Sequence, residues 1–152
     1  MHNPVMAHLR KPMHAEVAKL LLRLIVGAVF VYHGYPKLFG GTAMTVEFFT
    51  RIGIPMAAFF APFVGVVELF GGLLLMLGLG TRLWGLALAF DMAVAIVSVK
   101  LYMSWGAGEF ELILLVSSLS LMLSGAGAYS LDAKMMKKGL GEHDAAMPMV
   151  KA

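Results

Sequence analysis

The chain has 152 residues, enough for one domain; 60% of them are hydrophobic and only 14% are charged, a balance outside that of soluble globular proteins and fitting an integral membrane protein. It contains no cysteine, which excludes disulfides, zinc–thiolate sites and cysteine-ligated iron–sulfur clusters within this chain. The net charge of +3 resides mainly in the tails, where a positive-inside bias explains it better than a folded basic face, so no nucleic-acid partner is expected.

The N-terminal MHNPVMAHLRKPMHAE is basic, but it precedes an apolar segment longer than a signal-peptide core and shows no small-residue cleavage pattern. Residues 1–14 are therefore expected to form a retained cytoplasmic tail. The first span, residues 15–39, contains LLLRLIVGAVFVYHGYPKLFG, with Arg23, His33 and Lys37 inside it. A central Lys or Arg costs about 2.5–3.5 kcal/mol on insertion scales, so such groups face a bundle interior or a watery pocket. Pro36 frees a carbonyl one turn earlier, near Tyr32, which a membrane helix tolerates only where neighbours or water satisfy it. Gly40-Gly41 end the helix, and Thr42 is the expected cap of whatever follows.

Residues 42–53, TAMTVEFFTRIG, are too short to span. They gather Phe48, Phe49 and Ile52 near one side and set Glu47 and Arg51 at i,i+4, the pattern of a short interfacial helix. The second span, 55–80, brings Ala61, Gly65, Glu68 and Gly72 to one face, where small residues permit close helix approach. Thr81-Arg82 make a basic turn. The third span, 83–103, carries Asp91 near its middle and Lys100 near its far end; the fourth, 109–129, carries Glu111 at its start. Residues 130–152 read as a polar cytoplasmic tail with a basic cluster at Lys134, Lys137 and Lys138. The expected fold is thus all-α: a single domain built as an up-down bundle of four transmembrane helices, with a short interfacial helix between spans one and two.

Four spans put both tails and Arg82 on one side of the membrane, with Arg10, Lys11, Lys134, Lys137, Lys138 and Lys151. Lys37, Arg51 and Lys100 fall on the other, so both termini are expected in the cytoplasm. At about 1.5 Å per residue, His33, Lys37, Glu68, Lys100 and Glu111 all reach the outer half of the membrane. Arg23 lies nearer the cytoplasmic side, where it is expected to pair with Asp91. Two readings of the outer constellation stay open: a salt-bridge network that pins helix register, or a polar pocket for a quinone-like or other small polar head group, with Glu68 able to carry a proton.

The stretches RLIVGAVFVYHGYPKLFG, GVVELFGGLLLMLGLGTR and DMAVAIVSVKL, a Glu opening span four, and GAGAYSLD at its end together resemble the DoxX family over about Ala18 to Asp132. The resemblance implies a small four-helix protein of the inner membrane, associated with thiosulfate:quinone oxidoreductase, terminal quinol oxidase or other membrane oxidoreductase systems. The recurring polar motif of that family matches His33, Gly34, Lys37, Glu68, Gly71, Gly72, Thr81, Arg82 and Glu111, and relatives carry His or Lys at the position of Lys100. On this basis the expected catalytic residues are His33 and Glu68, and the expected cofactor-binding residues are Tyr32, Lys37, Lys100 and Glu111, with quinone as the candidate cofactor and no metal. The expected partners are the lipid bilayer and a larger membrane complex or a second copy of the chain. An accessory subunit that stabilises a larger membrane enzyme is the alternative, and a small transporter a third.

Other chemistries find less support. His33 is the one histidine inside a span, which disfavours a bis-His haem. Methionine–histidine groupings in the tails, such as Met13-His14 and His143 with Met147, read more simply as ordinary flexible-segment composition than as copper ligands. Ser117, Ser118, Ser120 and Ser124 are spaced like helix-packing serines. Tyr32, Phe39, Tyr102, Trp105 and Phe110 form one interfacial aromatic belt, with Trp84 and Tyr129 at the other interface.

Overall fold

Residues 12–102 and 108–146 are described by the computed structural model, and helices dominate them. In chain order these are α1 (Pro12–Leu38), α2 (Thr42–Arg51), α3 (Ala57–Leu77), α4 (Thr81–Tyr102), α5 (Glu109–Ser124) and α6 (Leu131–Ala146). The described residues contain no strand, in agreement with the all-α expectation. Arg10, Lys11, Trp105 and Lys151 fall outside the described residues, as do the side chains of Lys100, Tyr102 and His143.

Local chemistry explains most of the boundaries. α1 starts on Pro12, whose fixed φ and missing N–H suit the first helical position. It continues through Pro36 to Leu38. Thr42 does not cap the next helix as expected. It is the first residue of α2, and its hydroxyl donates back to the carbonyls of Lys37 (2.7 Å) and Leu38 (3.4 Å). The open C-terminal carbonyls of α1 are thereby satisfied by the residue that begins α2. α2 is the expected short helix, with Arg51 donating to Glu47 at 2.8 Å.

α3 ends at Gly78, which sits at φ 69°, with Gly78 N–H donating to Leu75 and Leu79 N–H to Leu74. This paired pattern is a Schellman motif, and it turns the chain directly into α4. The polar segment after residue 130 is likewise more regular than expected: Ser130 accepts from Ala133 N–H at 3.1 Å and so caps α6.

α1 packs chiefly on α3 and α4 on α5, and α3 against α4 joins the two pairs. The shared core is Val26, Phe30, Leu75, Leu88, Met92, Leu114 and Leu121. Outward, α3 presents Phe59, Phe63, Val66, Phe70, Leu73 and Leu77 at successive three- and four-residue steps, and α4 presents Leu83, Leu86, Phe90, Val94 and Val97. Such continuous apolar faces suit lipid, not water. Among the described residues, α3 and the segment Thr81–Ser98 of α4 are long and apolar enough to cross a membrane on their own. α1 is interrupted by Arg23, His33 and Lys37, and α5 has 16 residues, about 24 Å against a hydrocarbon core of about 30 Å.

Candidate functional site

Two buried charge clusters form where α1 meets α3, separated along α1 by the 14 residue steps from Arg23 to Lys37, or about 21 Å of helix. Their placement depends on a seam of glycines. A Cβ on Gly72 would lie 2.6 Å from the Gly27 carbonyl oxygen, and one on Gly34 would lie 2.5 Å from Leu69 N and 2.9 Å from Glu68 Cβ. Gly27 and Gly34 on α1 thus face Gly65 and Gly72 on α3 at backbone contact, each pair two turns apart. Gly65 receives the Cβ of Lys37 in the same way. The small-residue face read from the sequence around Glu68 is this contact surface.

At the outer end of the seam Lys37 Nζ donates to Glu68 Oε2. The Glu68 side chain is 3% exposed and that of Lys37 22%, so the acid is sealed while the lysine side chain stays partly exposed. Asp91 reaches the same place from α4: its carboxyl lies beside that of Glu68, with Lys37 as the neighbouring cation. Its Oδ2 is buried without a hydrogen-bond partner among the described residues. The cluster is therefore one cation and two acids drawn from three helices.

The other expected residues are not brought into this cluster by any contact among the described residues. His33 is exposed, with its ring 5.4 Å from Tyr32 and 5.3 Å from Phe110 of α5, so α1 and α5 meet here through rings. Tyr32 is 77% exposed. Glu111 sits in the first turn of α5 with its Oε2 buried and unpartnered among the described residues. Lys37 and Glu68 are brought into direct contact; His33 and Tyr32 form an exposed aromatic edge. A shallow hollow of about 260 Å³ opens farther along α4, lined by Ala93, Val94, Val97 and Ser98. None of the candidate residues lines it.

Arg23 anchors the inner cluster and does not pair with Asp91. Its side chain is fully buried, and Nη2 donates to the Tyr129 carbonyl oxygen at 2.5 Å. The guanidinium packs against Gly78, where any Cβ would collide with Nη1. Asp132, the nearby anion, accepts from the N–H groups of Gly80 (2.9 Å) and Thr81 (3.2 Å) and so caps α4. Asp132 N–H returns the bond to the Gly78 carbonyl at 3.0 Å. The segments GLGTR and GAYSLD, far apart in sequence, are thus two halves of one knot. Glu16 at the start of α1 extends it, accepting from Lys19 at 2.6 Å and from Ala128 N–H.

The reason for the exchange of partners is depth. Arg23 is level with Gly78 at the α3–α4 turn, whereas Asp91 lies ten residues into α4 from Thr81, about 15 Å away along the helix. Glu68 lies ten residues before Gly78 on the antiparallel neighbour. Asp91 and Glu68 are therefore level across the hairpin, and equal distance from the turn was the signal in the sequence that Asp91 belongs to the outer cluster.

The DoxX family model matches residues 18–101 of this chain. The protein of Bacillus subtilis (strain 168) named "Putative oxidoreductase CatD" is 40% identical over 80% of this chain and 90% of its own length. An uncharacterized membrane protein of Mycobacterium tuberculosis is 37% identical over 83% of this chain and 87% of its own. The inner membrane protein YqjF of Escherichia coli is 28% identical over 81% of this chain and 95% of its own. No solved structure matches the chain.

Proposed function

The chain belongs to the DoxX family of membrane proteins, and from that premise we propose that it is a membrane subunit supporting quinone-linked redox chemistry. The observation that carries this reading is the Lys37–Glu68 pair, a buried acid held by a partly exposed lysine one turn along α1 from His33. A quinone head group offers two carbonyl acceptors, and its reduction consumes protons. Lys37 and His33 would donate to those oxygens, Tyr32 would flank the ring, and Glu68 would exchange protons with it. Glu111 and Lys100 would border the same site from the facing ends of α5 and α4. Electrons would come from a partner enzyme, and the oxidoreductase name of the Bacillus subtilis relative supports that setting.

In this reading α1, α3, α4 and α5 are the four crossings of the cytoplasmic membrane, with α5 extended towards Tyr129 by the turns that follow it. Arg82, Lys134, Lys137 and Lys138, all exposed near one end, would lie on the cytoplasmic side with both termini, the orientation that a positive-inside bias favours. The test is to purify the protein in mild detergent and extract its lipid-soluble contents. Quinone should accompany the wild type and be depleted in Glu68→Gln; equal quinone in both rejects the role of Glu68.

One feature favours an accessory role alongside this one. The exposed aromatic run Phe59, Phe63 and Phe70 on α3, with Phe59 and Phe63 stacked at 6.0 Å, would suit packing against a larger membrane enzyme or a second copy. That role predicts that Phe63→Ala impairs co-purification of a partner while quinone retention is unchanged.

A further inference from the structure

We propose that Glu68 and Asp91 hold one proton between them, with Lys37 balancing the single remaining negative charge, so that the buried centre is a neutral, proton-bearing triad. The inference rests on the same cluster as the quinone-linked reading, but its test needs no quinone.

The argument is one of donors and acceptors. An ionised carboxylate is acceptor-only, and two of them have no hydrogen bond to share; a carboxylic acid beside a carboxylate has one. The carboxyls of Asp91 and Glu68 are buried neighbours, and a hydrogen bond between them requires one of the two to supply the hydrogen. Lys37 already donates to Glu68 Oε2, and the cluster contains one such cation for two acids. Charge counting gives the same answer. With both acids ionised the site would carry an uncompensated negative charge among apolar helices, whereas one retained proton makes the sum zero. No further cation is described at the cluster: the charged residues of α5, Glu109 and Glu111, are both acids, and His33 on α1 turns to Tyr32 and Phe110. Asp91 Oδ2 has no donor among the described residues, which leaves that oxygen free to carry the hydrogen. Since both acids are held by helix packing, the proton can move between them by a small shift of one hydrogen, without a backbone rearrangement.

The centre would accordingly work as a one-proton station: it passes a proton to a group arriving beside Lys37 and is reloaded from the same side. Asp91, which the sequence reading pairs with Arg23 and leaves out of the candidate site, is then half of the proton-carrying pair.

Infrared spectroscopy of the purified protein in an alkyl maltoside, which has no ester carbonyl, reads the proton directly. Near neutral pH the wild type should show a protonated-carboxyl C=O band that shifts down in D2O. The band should vanish in Asp91→Asn and also in Glu68→Gln, because in each the remaining acid pairs with Lys37 as a carboxylate. Lys37→Met, which removes the counter-charge, should instead raise the band about twofold as the second acid takes up a proton. A wild-type spectrum without the band overturns the proposal, whether or not the variants fold, and so does a band kept in either single variant. If the band behaves as expected while quinone is not retained, the shared proton stands and the quinone reading falls.

Discussion

The inner and outer charge clusters lie at the two ends of the α1–α3 seam and solve the same problem with different materials. Arg23 is held by the main chain: the Tyr129 carbonyl accepts from it, Gly78 makes room for it, and Asp132 is itself tied to the N–H groups of Gly80 and Thr81. Lys37 is met by side-chain acids alone, Glu68 directly and Asp91 behind it. Peptide groups neither gain nor lose protons near neutral pH, and the contacts of Arg23 and Asp132 with them hold the α3–α4 turn to the start of α6. Carboxyl groups can exchange protons, and Glu68 and Asp91 are the acids to which the proposed chemistry is assigned.

This contrast can be broken experimentally. The largest stability loss should come from Arg23→Ala, which empties a fully buried site and strips the Tyr129 carbonyl of its donor. A cost of about 3–5 kcal/mol is expected, read as a lower denaturation midpoint in detergent, with the surviving folded fraction still retaining quinone. Gly34→Val should cost about 1–3 kcal/mol by forcing α1 away from α3, yet it should abolish quinone retention, because Lys37 and Glu68 would separate although neither is altered. Thr42→Val removes the hydroxyl that satisfies the end of α1 and should cost about 1 kcal/mol in the same unfolding assay. Smallest of all, Glu47→Ala breaks an ion pair whose side chains are 70% and 74% exposed; a change below about 0.5 kcal/mol is expected, with quinone retention intact.

Much of this arrangement is legible in the residues, and the limits have a physical cause. Hydropathy and glycine spacing reveal the helices, and the small face around Glu68 correctly marks a close contact, because one-dimensional periodicity determines which side chains share a face. Thr42 and Ser130 show how capping residues can be recognised while their targets are missed: Thr42 serves the helix behind it, and Ser130 begins a helix where composition suggested only a polar tail. Partner choice was the harder matter. Arg23 and Asp91 have opposite charges, which invited a pairing, but rotation about the helix axis and distance from the α3–α4 turn decide which charges meet. Measured from that turn, Asp91 matches Glu68, and Arg23 matches the turn itself. His33 illustrates the same limit, since its sequence neighbourhood suggests the acid cluster while its ring packs on Phe110.

The central claim is that the outer cluster performs chemistry and the inner one supports the fold. Titration of a short-chain benzoquinone into delipidated protein in nanodiscs, followed by tryptophan quenching, tests it on three proteins at once. Glu68→Gln should weaken binding about tenfold or more, about 1.4 kcal/mol per tenfold, while folded Arg23→Met binds as the wild type does. Equal affinity in wild type and Glu68→Gln, or a loss confined to Arg23→Met, would contradict the account.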